Sequence, residues 1–386
     1  MRNDRIADIQ FLRAVAILLV LVGHQPALVG WHGVALTEFQ SYFALGSGVD
    51  LFFAISGFVI CRSFINHNGG RIPTDFRSAA IPFWIRRAYR ILPAAWFWLA
   101  ASLVATVFLN PYGNFGKFWP NLWDATTAFF QVANFSQWAC ASKWISWCAE
   151  GNVPNGIYWS LSLEEQFYIL FPIALVLAGR WPVIVSLVVL AVSLAYGEIF
   201  RFIILLAGVL LGLASFHPLY ARLRPSFLER RGLKELVLVV MTLLIVMVPA
   251  PAYAIPFCIH LLAVLCAVWV FIASHGLAMP RTPLTPFFMW VGSRSYALYL
   301  GHMMAFCATR EIFFLNGNPG TGAEADVRYW VLAALLLLAF AEGTYRFLER
   351  PFIKKGQERA QSWRRPVAGG GDLRGVSGSL AQKFPR

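Results

Sequence analysis

With 386 residues, 58% of them hydrophobic, 16% aromatic and only 13% charged, and a mean hydropathy of +0.61, the chain falls outside the soluble globular class. Roughly 25% of residues are charged there. A net charge of +13 would suit a nucleic-acid binder, but the basic residues cluster between apolar segments, where they set membrane orientation. No nucleic-acid partner is expected.

Apolar segments of spanning length lie near 11–31, 42–64, 82–109, 157–178, 181–196, 199–216, 235–250, 253–274, 286–313 and 328–348, about ten in all. The fold class is all-α, a polytopic integral membrane protein. With the N-terminus inside, about 26 of the 32 Lys and Arg fall on the cytoplasmic face and about five on the other, which puts both termini in the cytoplasm. Arg2 and Arg5 before an apolar run resemble a signal sequence. His24 interrupts that run and no small-x-small cleavage site follows, so the segment reads as an uncleaved first span. Residues 1–355 form the membrane domain; 356–386, bearing Gly, Arg and Ser, read as a disordered basic cytoplasmic tail.

The first span carries Arg13 and His24. Eleven positions separate them by about 16 Å along a helix and return them to nearly the same face. Ionisable groups cost roughly 2.5–3.5 kcal/mol each at the centre of a spanning helix, so they face a bundle interior and mark function. The plainer reading is a headgroup arginine and a helix-end histidine. In the second span Asp50, Ala54 and Gly57 follow i, i+4, i+7, a narrow face with one carboxylate and room for a neighbouring backbone. An embedded acid needs a partner.

The following cytoplasmic loop ends in Trp84-Ile-Arg86-Arg87-Ala-Tyr-Arg90. Arg86, Arg87 and Arg90 lie within one helical turn, either as a positive-inside anchor or as an anion clamp for phosphate oxygens. A loop rich in Trp, Asn and Ser spans about 110–158. Its Leu122–Phe135 portion is too short for a span and is interfacial or re-entrant. Cys140 and Cys148 share this loop and can pair if that side is oxidising. Cys61, Cys258, Cys266 and Cys307 sit in apolar segments as small packing residues.

In the fourth span Ser160, Glu164 and Tyr168 recur every four residues, a polar stripe on an apolar helix. Acids at a helix N-terminus can also simply complement its dipole. Arg201 belongs to an outer interface, and Gly208-Val-Leu-Leu-Gly212 is a close-packing signal. In the ninth span Ser295, Tyr299 and His302 follow i, i+4, i+7 and share a face. There is no metal-spaced His/Cys cluster, no nucleotide-type Gly-rich loop and no nucleophile elbow.

The order and spacing of these features resemble the acyltransferase 3 family of integral-membrane acyltransferases. The carriers are Arg13-x10-His24, Ser47-Gly-Val-Asp-Leu-Phe-Phe-Ala-Ile-Ser-Gly-Phe58, Arg87-x-x-Arg90, Trp159-Ser-Leu-Ser-Leu-Glu-Glu-Gln-Phe-Tyr168, Ser295-Tyr-x-Leu-Tyr-Leu-x-His302 and Glu349-Arg-Pro351. The resemblance covers about Asp8 to Pro351. It implies transfer of an acyl group, often acetyl, from cytosolic acyl-CoA to a hydroxyl of a surface or exported glycan or glycolipid, at the cytoplasmic (inner) membrane. It also implies a catalytic role for His24, a required Arg13, and donor handling by Arg87 and Arg90. Many polysaccharide-modifying relatives carry an extra extracytoplasmic hydrolase-like domain. The chain resembles the stand-alone branch, with separate polysaccharide assembly machinery as a possible partner.

On this footing Arg13, Arg86, Arg87 and Arg90 are expected to hold the phosphates of the donor, and His24 to take the acceptor proton or form an acyl-histidine. Glu164, or Asp50, is expected to orient the His24 ring. Ser295, Tyr299, His302 and Tyr168 are expected to bind the acceptor or an oxyanion, with membrane lipid around the bundle and no metal. The rival reading is a transporter of a glycan or lipid that uses the same embedded charges.

Overall fold

Every apolar segment that can be traced is helical. The computed structural model describes residues 2–25, 34–73, 75–144, 153–178, 201–230, 232–251, 257–280, 282–317 and 327–363, with no strand among them. The helices are α1 (Arg2–Gly23), α2 (Val34–Tyr42), α3 (Gly48–His67), α4 (Phe76–Phe108), α5 (Phe118–Phe129), α6 (Ala133–Ala141), α7 (Tyr158–Ala178), α8 (Phe202–Ala214), α9 (Pro218–Arg222), α10 (Leu233–Met247), α11 (Cys258–Ser274), α12 (Thr285–Ser293), α13 (Ser295–Leu315), α14 (Val327–Gly343) and α15 (Arg350–Ser362). Among the described residues, Leu45–His67, Phe76–Phe108 and Val327–Ser362 are long and apolar enough to cross a membrane. Phe202–Ala214 and Pro218–Glu229, bent by 94°, make a fourth if taken together. The protein is thus an all-helical, multi-pass membrane protein. The segment expected to span 181–196 lies outside the described residues.

Small residues set the tightest helix contacts. A Cβ added at Gly57 would strike the Leu205 carbonyl, one at Gly208 the Ala54 carbonyl, and one at Gly212 the Cys61 side chain. So α3 and α8 run side by side in the same direction with their backbones nearly touching, as Ala54, Gly57, Gly208 and Gly212 foretold. Likewise Gly48 admits the Ala16 carbonyl and Gly292 the Gln10 carbonyl. These two glycines clamp α1 between α3 and α12.

The short apolar stretch after α4 forms a helical hairpin of α5 and α6. Asn121 Nδ2 donates to Thr106 Oγ1 at 3.3 Å near the end of α4. Phe129 stacks on Trp96 with centroids 4.9 Å apart, about 18 Å back along α4 from its last residue at 1.5 Å per residue. The chain turns at Gln131 (φ 58°), and α6 returns along α7. Ser162 Oγ accepts from the Ala133 backbone at 3.2 Å, and Gln166 donates to the Gln131 carbonyl at 2.8 Å. Side chains of α7 thus pin a turn that also keeps backbone bonds of its own, Val132 N–H to the Thr127 carbonyl at 2.8 Å among them.

One boundary differs from expectation. The helical chain continues through Gly356, which is buried against Tyr89, to Ser362, because removing a side chain at 356 lets α15 lie on α4. Residues 364–386 lie outside the described set. Cys140 is disulfide-bonded, whereas Cys61, Cys258, Cys266 and Cys307 are in no disulfide; Cys148, its expected partner, lies outside the described residues.

Candidate active site

A cavity of about 1140 Å³ runs between α1, α3, α4, α7 and α13. Its α3 wall extends from Val49 to Asn66, about 25 Å of helix. Four arginines, Arg13, Arg62, Arg87 and Arg90, line it against a single carboxylate, Glu164. Such an imbalance in a partly desolvated space suits a polyanion, because guanidinium forks match phosphate oxygens in pairs.

Several polar groups in the cavity are held by neighbours on other helices. Arg13 Nε donates to Ser295 Oγ at 3.1 Å, tying α1 to α13. Glu164 Oε1 accepts from both the Ser56 and the Tyr168 hydroxyls. The Arg87 guanidinium lies 5.4 Å from the Tyr168 ring centre and 5.6 Å from that of Phe83, a cation–π contact that fixes its direction. The Tyr299 hydroxyl donates to the Ile157 carbonyl at 2.9 Å and meets Ser160 Oγ at 2.7 Å. A π-helical segment, Thr344–Glu349, turns Glu349 into the interior, where its carboxylate feels Arg13 and Arg90. The extra residue of a π turn commonly re-aims a side chain in this way.

The histidines sit one step past Tyr299. Tyr299 lines the cavity, its ring is 5.7 Å from that of His302, and His302 meets His24 edge to face at 5.0 Å. His24 Nδ1 is 2.9 Å from the Val20 carbonyl, and His302 Nδ1 is 2.6 Å from the Tyr299 carbonyl. A carbonyl can only accept, so in the neutral rings Nδ1 carries the proton and Nε2 the lone pair. His302 Nε2 is buried with no partner among the described residues.

The cavity lining thus brings together Arg13, Arg87, Arg90, Ser160, Glu164, Tyr168, Ser295 and Tyr299. Arg86 is not on it, and neither is Asp50. The carboxylate expected on His24 is elsewhere: Glu164 is occupied by Ser56 and Tyr168, and Asp50 by Arg201 at 2.6 Å. The reason is depth along the helices. Glu164 lies a helical turn beyond Ser160 and faces the arginines. Asp50 lies on the α3 face that packs on α8.

The sequence does not mark Ser56, Arg62 or Tyr296 as site residues, and Glu349 enters it only within the motif Glu349-Arg-Pro351. Ser56 sits beside Gly57 in a motif read as packing, and Arg62 among charges read as orientation. Glu349 depends on the π turn, which no periodicity signals.

Residues 6–344 match the model of the family described as acyltransferase domain. The chain belongs to the acyltransferase 3 family. It is similar to the peptidoglycan O-acetyltransferase OatA of Listeria monocytogenes, 24% identical over 343 residues that cover 80% of this chain and 51% of the relative. It is also similar to the O-acetyltransferase OatA of Staphylococcus aureus, 27% identical over 345 residues that cover 80% of this chain and 53% of the relative. The chain spans about half the length of these curated relatives. No solved structure matches it.

Proposed function

We propose that the protein transfers an acyl group, acetyl in the first instance, from acyl-CoA to a hydroxyl of a cell-surface or exported glycan. Peptidoglycan, named for one of the relatives above, is the first acceptor to try. The observation that carries the reading is the arginine-lined cavity that ends at Tyr299, one residue contact from the His24–His302 pair. A ten-span topology with both termini in the cytoplasm, in the inner membrane, belongs to the same reading.

In this reading Arg13, Arg87 and Arg90 take the donor's phosphates, with Arg62 and Asn66 nearer the entrance. The pantetheine arm extends toward Tyr299 and brings the thioester to His24. The acceptor approaches from the His24 end, and a second hydroxyl of the glycan donates to His302 Nε2. His24 Nε2 takes the hydroxyl proton as the oxygen attacks the thioester carbonyl. The carbon–sulfur bond then breaks, and the departing thiolate takes the proton back from the imidazolium. Glu164 keeps Ser56 and Tyr168 in place opposite Arg87 instead of touching the reacting atoms.

Deletion of the gene, followed by mass analysis of cell-surface and secreted glycans, tests the proposal. Loss of an acyl mass that returns with the wild-type gene and not with His24→Ala supports it. Unchanged glycan acylation in the deletion strain contradicts it.

A further inference from the structure

Among the described residues, none other than Asp50 donates to or accepts from the Arg201 guanidinium, which leaves one edge open at the His24 end of the bundle. Both oxygens of Asp50 are served by one nitrogen, Nη1, at 2.8 and 2.6 Å. Asp50 is 1% exposed and the Arg201 side chain 39%, so the acid is an inward anchor and the guanidinium reaches outward from it. The guanidinium lies 5.4 Å from the Trp159 ring centre, which fixes its plane. No described residue engages Nε or Nη2. These two atoms carry the parallel N–H pair with which an arginine grips an oxyanion bidentately.

The edge adjoins the cavity. Trp159 meets Phe53 with centroids 6.2 Å apart, and Phe53 lines the cavity. The next residue, Ser160, also lines it and holds Tyr299. On the α3 side, Val49 next to Asp50 lines it too. Arg201 therefore stands at the rim of the end where the acceptor enters in the proposed function, away from Arg87 and Arg90.

We propose that the Nε–Nη2 edge of Arg201 is a subsite for a carboxylate of the acceptor. Asp50 cancels one unit of charge, so the subsite suits a singly charged carboxylate better than a doubly charged phosphate, whose second charge would meet Asp50. Trp159 and Asp50 position the guanidinium, and Arg201 alone makes the contact. The preferred acceptor is accordingly an acidic glycan, held by an anion beside the hydroxyl that is acylated. This rests on the proposed function only for the entry side of the acceptor.

The test is equilibrium binding of N-acetylmuramic acid, its methyl ester and N-acetylglucosamine 1-phosphate to the purified full chain in detergent. Wild-type protein is expected to bind the acid at least about tenfold tighter than the ester and tighter than the phosphate. Arg201→Gln is expected to erase the difference between acid and ester. Arg201→Lys keeps a cation against Asp50 and so guards against a folding failure; it is expected to lose most of the difference, because an ammonium lacks the paired edge. Equal binding of acid and ester by the wild type, tighter binding of the phosphate, or a preference that survives both substitutions overturns the subsite. Absence of coenzyme A release by the wild type would instead count against the proposed function, and the comparison of acid with ester would still read Arg201 directly.

Discussion

The rings of His24 and His302 meet edge to face with centroids 5.0 Å apart, and each ring turns its Nδ1 to a backbone carbonyl. Two neutral imidazoles then carry their lone pairs on Nε2, one for the hydroxyl proton that is lost and one for a second hydroxyl of the glycan. His24→Ala should lower transfer by about 10²–10⁴-fold, the contribution of a positioned general base. His302→Asn should raise the acceptor KM more than the donor KM. Steady-state kinetics with both substrates varied checks the pair.

Arg87 and Arg90 belong to the donor. Each charge-assisted hydrogen bond to a phosphate is worth about 1.5–3 kcal/mol, so Arg87→Ala should weaken acetyl-CoA binding by about 10- to 150-fold. Acceptor binding should be unaffected. Arg87→Lys should restore only part, because it keeps the charge and loses the fork and the contact with the Tyr168 ring. Isothermal titration of the two variants with acetyl-CoA reads this directly.

The glycine seam between α3 and α8 makes a stability prediction that does not depend on function. Gly208→Val forces a side chain into the Ala54 carbonyl. It should cost about 1–3 kcal/mol or more through overpacking. Gly343, whose added Cβ meets nothing within 4 Å, should accept Ala without loss. Thermal unfolding of both variants in detergent separates them.

Much of this was legible in the sequence because helical periodicity is a local property. Ser160, Glu164 and Tyr168 sit on one stripe, Ser295, Tyr299 and His302 on another, and the structure brings the first stripe, with Ser295 and Tyr299, onto the cavity and His302 against His24. Ala54, Gly57, Gly208 and Gly212 announced a close contact, though not with each other. Partners across helices were not legible. Asp50 reads as an acid in need of a partner and Arg201 as an outer-interface residue, yet nothing local to either residue joins them. Glu164 was matched to His24 when the helix places it with Ser56 and the arginines. The α5–α6 hairpin shows in the sequence only as a stretch too short to span, since its return along α7 rests on Ser162 and Gln166, residues of a distant stretch of chain.

Orientation is testable without an activity assay. A periplasmic phosphatase fused after Trp363 should be inactive, and a fluorescent protein at the same point should fluoresce, because the C-terminus is proposed to be cytoplasmic. Active phosphatase there would reverse the direction in which donor and acceptor enter the cavity.

The most direct measurement is coenzyme A release by the purified protein on mixing acetyl-CoA with a muropeptide acceptor. The account predicts release with wild-type protein that requires both substrates, matched by acetylated acceptor and lost in His24→Ala. No release by folded wild-type protein, or release and transfer undiminished in His24→Ala, would contradict it.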